Sequence, residues 1–234
     1  MTTVRWDGLI WDVDGTIALT EREGHLPACN AAFAAMDLPI RWAWEEFQNL
    51  LGIPGNELRM KRALEALARP PDNLEEVAGQ LARLKKKLYL ERFLPGTSLR
   101  PGIRDLIREA RERRMRQAIV STSDEEQIHA LLSLHLPEEK GWFSPVLGKR
   151  AGRKTAPDSP LYRRCLAEWR CAGDRALAIE DSEVGLRAAC EAGIPCVVAY
   201  NDYTAGHDFR GATWITSSLA GVSLDRLAQE MSEA

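Results

Sequence analysis

The sequence predicts an α/β domain built on a parallel sheet and interrupted, soon after its first strand, by an inserted helical segment. The apolar run Leu-Ile-Trp at residues 9–11 is typical of a buried first strand. Residues 21–93 then show helical patterns without a convincing strand. From residue 95 onward, short apolar runs alternate with helical segments. That alternation indicates a parallel sheet covered by helices on both faces.

Turn signals rich in proline, glycine and aspartate divide the chain into its elements. In the inserted segment, helices are predicted at residues 25–36 or 27–36, 42–51, 59–67 and 74–93. In the alternating part, strands are predicted at residues 117–120, 143–147, 176–179, 196–199 and 213–215, and helices at residues 104–114, 125–134, 161–170, 184–192 and 224–231. We therefore predict a core of residues 1–19 and 95–234 with a helical insertion of residues 20–94.

Composition excludes several classes of protein. The 234 residues are 45% hydrophobic and 28% charged, and the formal net charge of −3 does not favour nucleic-acid binding. No apolar stretch approaches the roughly 20 residues of a membrane helix, and the N-terminus lacks the apolar segment of a signal peptide. Five scattered cysteines without CxxC spacing indicate neither a disulfide framework nor a zinc site. We expect a cytoplasmic protein that binds neither nucleic acid nor a membrane.

Two carboxylates stand at the end of the first predicted strand. Asp12 and Asp14 are two residues apart, so in an extended chain their side chains point the same way, and Gly15 after them permits an abrupt turn. Ligands of open α/β sheets gather at this end of the strands. Because two crowded carboxylates repel each other, the pair favours a cation, and hard cations such as Mg²⁺ prefer oxygen ligands.

Three further polar features follow later predicted strands or precede a helix. They are Ser121-Thr122-Ser123, Lys154 in the segment 152–158, and Glu180-Asp181-Ser182. Together they supply a hydroxyl with nearby backbone amides, a cation and a second acidic pair. That set suits a phosphate group bound beside a metal ion.

Taken in order, these four features resemble the motifs of the haloacid dehalogenase (HAD) superfamily of phosphohydrolases. Asp12-Val13-Asp14-Gly15-Thr16 is similar to its first motif, Ser121 to the second, Lys154 to the third and Glu180-Asp181 to the fourth. The third motif departs from the family, because it reads Lys154-Thr155 where the family usually has Lys-Pro. The resemblance implies a Rossmann-like HAD core with a parallel sheet and an inserted α-helical cap of the C1 type.

The resemblance also implies a role for each motif residue. Asp12 is the nucleophile that forms an aspartyl-phosphate, and Asp14 is the general acid and base. The predicted phosphate-binding residues are Ser121, Thr122 through its amide, and Lys154. The predicted Mg²⁺ ligands are Asp12, Asp14 through its backbone carbonyl, Glu180 and Asp181.

Further residues are similar to one branch of the family. The stretch 179–189 resembles the β-phosphoglucomutase-like branch, and residues 203–212 resemble its CbbY-type sugar-phosphate phosphatases. In the insertion, Glu21 and His25 resemble residues that open the cap in such proteins. The loop 52–57 lacks the lysine and threonines of the CbbY type, and Arg59 is a substitute charge for substrate binding.

The resemblance implies a Mg²⁺-dependent phosphatase acting on a small phosphorylated metabolite, a sugar phosphate. The alternative in the same branch is a sugar phosphomutase, which uses the same aspartates but returns the phosphoryl group to a sugar hydroxyl. A non-catalytic binding protein on the same fold is less favoured, because competent side chains occupy all four motif positions.

Overall fold

A computed structural model describes residues 6–53 and 55–233. The chain divides into two compact units, one of Met1–Leu19 with Ser98–Ala234 and one of Thr20–Thr97. The sequence-based boundaries fall after residues 19 and 94, so the second differs by three residues. The difference arises because the turn Leu94–Gly96 belongs with the second unit. Residues 1–5 and 234 of the predicted core and Pro54 of the predicted insertion lie outside the described residues.

The strands lie in the first unit. They are β1 (Gly8–Trp11), β2 (Ala18–Leu19), β3 (Ser98–Leu99), β4 (Arg116–Val120), β5 (Phe143–Leu147), β6 (Ala176–Glu180), β7 (Cys196–Ala199) and β8 (Trp214–Thr216). Within the described residues, six of them form a parallel sheet in the order β5-β4-β1-β6-β7-β8, which confirms the predicted fold class. The antiparallel pair of β2 with β3 was not predicted, because strands of two residues are too short to show an alternating pattern.

The helices lie close to their predicted positions. They are α1 (Leu26–Ala35), α2 (Trp44–Leu50), α3 (Asn56–Glu65) and α4 (Leu74–Leu88) in the second unit, and α5 (Ile103–Glu112), α6 (Glu125–His135), α7 (Pro160–Trp169), α8 (Glu183–Glu191) and α9 (Leu224–Glu233) in the first. Helix α2 begins two residues later than predicted. The reason is that the Asn30 side chain bonds the backbone N–H and C=O of Trp42, which holds that residue outside the helix.

Successive residues of β1 pack on opposite faces of the sheet. Ile10 lies in the hydrophobic cluster that α7 and α8 form with the sheet. Trp11 points the other way, and its indole N–H donates to Gln117 Oε1 at 3.1 Å. The Gln117 amide in turn donates to the Ile107 carbonyl of α5. Both faces of the central strand are therefore buried, as expected for a parallel sheet.

The second unit is helical and has its own core. Its buried residues come from all four helices: Cys29, Ala32, Phe33, Phe47, Met60, Leu64, Ala78 and Leu81. A π-helical turn at Glu21–His25 runs directly into α1, and another at Tyr89–Phe93 extends α4. Within the described residues of the whole chain, no helix has the length and apolar character needed to cross a bilayer.

The position of β1 between β4 and β6 depends on Gly8. A methyl group added there would meet the Arg116 carbonyl at 2.7 Å and the Trp169 ring at 2.7 Å. Because Arg116 is the strand partner of Gly8, the sheet would have to shift. We expect Gly8→Ala to lower the free energy of unfolding by about 1–3 kcal/mol in denaturant titrations. Gly141→Ala is the matched control, since its methyl would meet nothing within 4 Å. Equal stability of the two variants would contradict this account.

Candidate active site

Three adjacent strands end at the same edge of the sheet. Trp11 of β1 lies opposite Ile119 of β4 and Ile179 of β6. Asp12, which comes directly after β1, donates its backbone N–H to the Ile179 carbonyl at 3.1 Å. The shared register therefore brings Asp12, the residues after β4 and the end of β6 together. This edge is where open α/β sheets bind ligands.

Gly15 allows the chain to turn tightly after the two aspartates. Its φ is +87°, and an added methyl would lie 2.2 Å from Asp181 Oδ2. The Gly15 carbonyl accepts a hydrogen bond from the buried guanidinium of Arg100 at 2.7 Å and from Asn201 Nδ2 at 3.3 Å. The same guanidinium also donates to the backbone carbonyls of Ala199, Tyr200 and Ser217. Arg100 thus fixes the turn of the first motif against the loop after β7.

Lys154 lies between two buried carboxylates. Its Nζ is 2.5 Å from Asp12 Oδ1 and 2.7 Å from Glu180 Oε1, and its side chain is only 4% exposed. Burial opposes the charged ammonium, but Asp12 and Glu180 outweigh it and raise the pKa of Lys154. The lysine is therefore a fixed cation. Glu180 Oε1 also accepts a short hydrogen bond from the hydroxyl of the fully buried Tyr162.

Asp181 completes the acidic group. Its Oδ2 accepts a hydrogen bond from Asn201 Nδ2 at 2.8 Å. Burial, with repulsion from Asp12 and Glu180, raises the pKa of Asp181 well above its usual range. Burial likewise raises the pKa of Glu180 to about 7, although Lys154 opposes the shift. These carboxyl groups are therefore costly to ionise together unless a cation balances them.

The acidic group fits a divalent cation. Asp12, Glu180 and Asp181 each offer an oxygen within 4.8 Å of the others. With all three ionised and Lys154 charged, the net charge is −2, which a divalent cation neutralises. Within the described residues, Glu180 Oε2 is buried without a hydrogen-bond partner, as an oxygen beside a bound cation can be. An all-oxygen donor set is the one that Mg²⁺ prefers.

Ser121 and Thr122, two of the predicted phosphate-binding residues, lie in the segment after β4. Ser123 Oγ donates a short hydrogen bond to Asp14 Oδ2. Ser121 is buried, and its Oγ accepts from the Ser123 N–H at 3.1 Å, so its own proton can still be donated to a ligand. Thr122 between them is exposed. The segment after β4 therefore links the first and second motifs through Ser123.

Two of the three candidate residues of the second unit, His25 and Arg59, are held by local contacts. His25 is buried, stacks on Tyr89 with ring centroids 4.2 Å apart, and has Nδ1 2.8 Å from Lys85 Nζ. Arg59 donates to the backbone carbonyls of Leu51 and Ile53. Glu21 Oε2 is buried without a hydrogen-bond partner in the described part of the chain.

Three charged residues of the second unit influence the thiol of Cys29. Burial raises the pKa of Cys29 to about 11; Lys85 and Arg59 oppose the shift and Glu21 adds to it. The charges of Glu21, Arg59 and Lys85 thus all influence the Cys29 thiol. The role of Glu21, His25 and Arg59 toward a substrate stays a prediction.

Sequence reasoning missed four residues that support the site. Arg100, Ser123, Tyr162 and Asn201 each bond a motif residue or its turn. Ser123 lies in the polar segment Ser121-Thr122-Ser123, and its spacing from Ser121 was an available signal. The other three come from a turn, a helix and a loop whose patterns indicate structure only.

Comparison with known families decides the assignment. The model of the haloacid dehalogenase-like hydrolases matches residues 9–199, which is more than half of the chain. The chain belongs to this family. The enzyme is accordingly a HAD-type phosphatase, as the sequence predicted.

The relatives of this phosphatase place it near the CbbY proteins. Protein CbbY of Cupriavidus necator is 37% identical over 90% of this chain and 85% of its own. A crystal structure of a CbbY variant from Rhodobacter sphaeroides, in complex with xylulose-1,5-bisphosphate, is 32% identical, covers 95% of this chain and 99% of its own, and has a TM-score of 0.85. β-Phosphoglucomutase of Clostridium difficile covers 97% of this chain and 98% of its own with a TM-score of 0.77, but at 18% identity it shows the fold alone.

Removing the Tyr162 hydroxyl tests how much its hydrogen bond to Glu180 stabilises this phosphatase. Tyr162→Phe leaves Glu180 with one hydrogen bond fewer in a site closed to water, so we expect about 1.5–3 kcal/mol less free energy of unfolding. Tyr200→Phe is the matched control, since it also deletes one hydroxyl and keeps the ring stacked on Phe209. Denaturant titration of both variants makes the comparison. Tyr162→Phe at wild-type stability would show that this hydrogen bond contributes nothing.

Proposed function

We propose that this phosphatase hydrolyses a small sugar phosphate, with Mg²⁺, through an aspartyl-phosphate on Asp12. The observation that carries the proposal is the placement of Asp12. It is a buried carboxylate in contact with Lys154, grouped with Glu180 and Asp181, at the edge of the sheet where Ser121 follows β4. A nucleophile, a fixed cation and a hydroxyl in one place are what phosphoryl transfer requires.

The first half-reaction transfers the phosphoryl group to the enzyme. An Asp12 carboxylate oxygen attacks phosphorus, and the bond from phosphorus to the sugar oxygen breaks. A sugar alkoxide is a poor leaving group, so Asp14 gives it a proton. The hydrogen bond from Ser123 holds the Asp14 carboxyl in one orientation for this transfer.

The second half-reaction restores Asp12. Asp14, now ionised, takes a proton from water as the water oxygen attacks phosphorus. The bond between phosphorus and Asp12 breaks, and inorganic phosphate and the free carboxylate result. Lys154, the Ser121 hydroxyl and the Thr122 amide bind the non-bridging oxygens throughout.

The residues fit Mg²⁺ as the cofactor. Asp12, Glu180 and Asp181 would hold it with side-chain oxygens, and Asp14 with its backbone carbonyl. When bound, Mg²⁺ supplies positive charge that neutralises the transferring phosphoryl group. Asn201, which bonds both Asp181 and the Gly15 carbonyl, orients one proposed ligand.

Substrate class is proposed from the relatives. The CbbY variant with a TM-score of 0.85 binds a sugar bisphosphate, which favours a phosphorylated sugar here as well. We propose that the second unit is the helical cap of the family, with Glu21, His25 and Arg59 as candidate substrate contacts. No observation on the described residues favours the phosphomutase alternative.

A product assay tests the substrate class and the metal together. We expect inorganic phosphate to be released from one or more members of a panel of sugar mono- and bisphosphates with Mg²⁺, and EDTA to abolish the release. The panel includes β-glucose 1-phosphate with a bisphosphate primer, from which a mutase would form the isomer. Isomer formation without phosphate release would support the mutase instead, and undiminished turnover in EDTA would remove Mg²⁺ from the proposal.

Replacing the two aspartates should lower activity to different extents. We expect Asp12→Asn to abolish turnover, because an amide oxygen does not form the acyl phosphate. We expect Asp14→Asn to lower kcat by about 10²–10⁴-fold, because proton transfer to the leaving group is lost. Phosphate release and circular dichroism measure activity and folding. Asp208→Asn is the control, since that half-buried carboxylate pairs with Arg210 outside the site. Turnover by Asp12→Asn at the wild-type rate would contradict the proposed mechanism.

A further inference from the structure

Two segments that carry the proposed phosphate-binding groups run side by side. One is the turn after β4, with Ser121 and Ser123, and the other follows β5 and leads to Lys154. The Ser121 N–H donates to the Leu147 carbonyl at 3.0 Å, and the Lys149 N–H donates to the Ser123 carbonyl at 2.8 Å. The two segments therefore continue the strand pairing beyond the ends of β4 and β5.

The side chain of Glu125 adds further hydrogen bonds to the second segment. Glu125, in the first turn of α6, accepts hydrogen bonds from three residues of that segment. Its Oε1 accepts from the N–H groups of Gly148 and Ala151, both at 3.1 Å, and its Oε2 accepts from the Arg150 N–H at 3.3 Å. A carboxylate with two oxygens can bind several backbone donors at once, and such charge-assisted bonds are stronger than neutral ones.

Neighbouring contacts restrain the same junction. Asp124 caps α6 through the Glu126 N–H and also lies 3.3 Å from Arg150 Nε. Gly148 allows the close approach, because an added methyl would lie 2.5 Å from the Ser123 carbonyl and 3.0 Å from Glu125 Cδ. The separation of the two segments is therefore set by the Glu125 carboxylate and by the lack of a side chain at Gly148.

We propose that Glu125 is a positioning residue for phosphoryl transfer, which acts by fixing the segment 148–151 so that Lys154 and Ser121 keep one separation. The proposal rests on the proposed function, in which these two residues hold the same phosphoryl group. Lys154 is restrained at its tip by Asp12 and Glu180. Glu125 restrains the segment before it, and with both ends fixed the ammonium needs no reorganisation when the phosphoryl group arrives.

A purely structural cap would behave differently. If Glu125 only stabilised the turn Lys149–Ala151, its loss would lower stability and leave the folded enzyme unchanged. If it positions Lys154, its loss also weakens phosphate binding and slows the chemical step. Small displacements of positioning groups cost up to about 10²-fold in rate.

The experiment compares four variants of the full chain. With p-nitrophenyl phosphate and Mg²⁺, we expect Glu125→Ala to lower kcat/KM about 10- to 100-fold and to raise the inhibition constant of inorganic phosphate. Glu125→Gln keeps the acceptor for Gly148 and Ala151 and should recover most of the loss. Gly148→Ala, which forces the segments apart with the carboxylate intact, should lower kcat/KM as well. Glu126→Ala removes the same charge from the same helical turn and should retain wild-type kinetics.

A double-mutant cycle separates this proposal from the proposed function. In the Lys154→Ala background, we expect Glu125→Ala to cost less than about twofold more, since coupled residues are not additive. If Glu125→Ala lowers kcat/KM by the same factor in the Lys154→Ala background as in the wild type, the proposal is overturned. It is also overturned if Glu125→Ala alone has the kcat/KM and the phosphate inhibition constant of the wild type. If Lys154→Ala itself keeps wild-type kinetics, the proposed function fails instead and this inference fails with it.

Discussion

A buried ammonium group shared by two buried carboxylates holds the centre of the first unit together. Lys154 contacts Asp12 after β1 and Glu180 at the end of β6, and Asp181 adds a third carboxyl group close by. Water does not screen these charges, so each depends on the others: removing one partner of a buried pair leaves the other uncompensated. The tip of the lysine is thus held by two acids whose positions the strand register sets. We propose that the lysine and a bound cation together set the ionisation of the acids.

The structure around the acids limits how far they can move. Arg100 and Asn201 both donate to the Gly15 carbonyl, and Asn201 also donates to Asp181. Tyr162 donates a hydrogen bond to Glu180. These bonds connect the turn after β1, the end of β6 and the loop after β7. A site built on three strand ends therefore acts as one rigid body, which favours phosphoryl transfer because its charges need no rearrangement.

The strand ends were predictable because a repeated pattern encodes them. Apolar runs at residues 9–11, 117–120 and 176–179 predicted β1, β4 and β6, and the polar residues after each run were the candidate site. The bonding partners of those residues were not predictable. Tyr162 reads as one more apolar position of α7, Arg100 as part of a turn, and Glu125 as an acidic residue in the first turn of a helix, which favours helices generally. Their contacts arise between segments far apart in sequence, and no local period records them.

Glu180 and Asp181 show why two adjacent acids in one motif need not do the same work. The two carboxylates have different hydrogen-bond partners, although each offers an oxygen within 4.8 Å of the other. The Glu180 carboxylate bonds Lys154 and Tyr162, whereas that of Asp181 bonds Asn201 and lies beside Gly15. Glu180 therefore acts mainly on the lysine that we assign to the phosphoryl oxygens, and Asp181 acts on the turn that carries Asp14. A single pair of acids thereby joins the proposed phosphate-binding and proton-transfer groups.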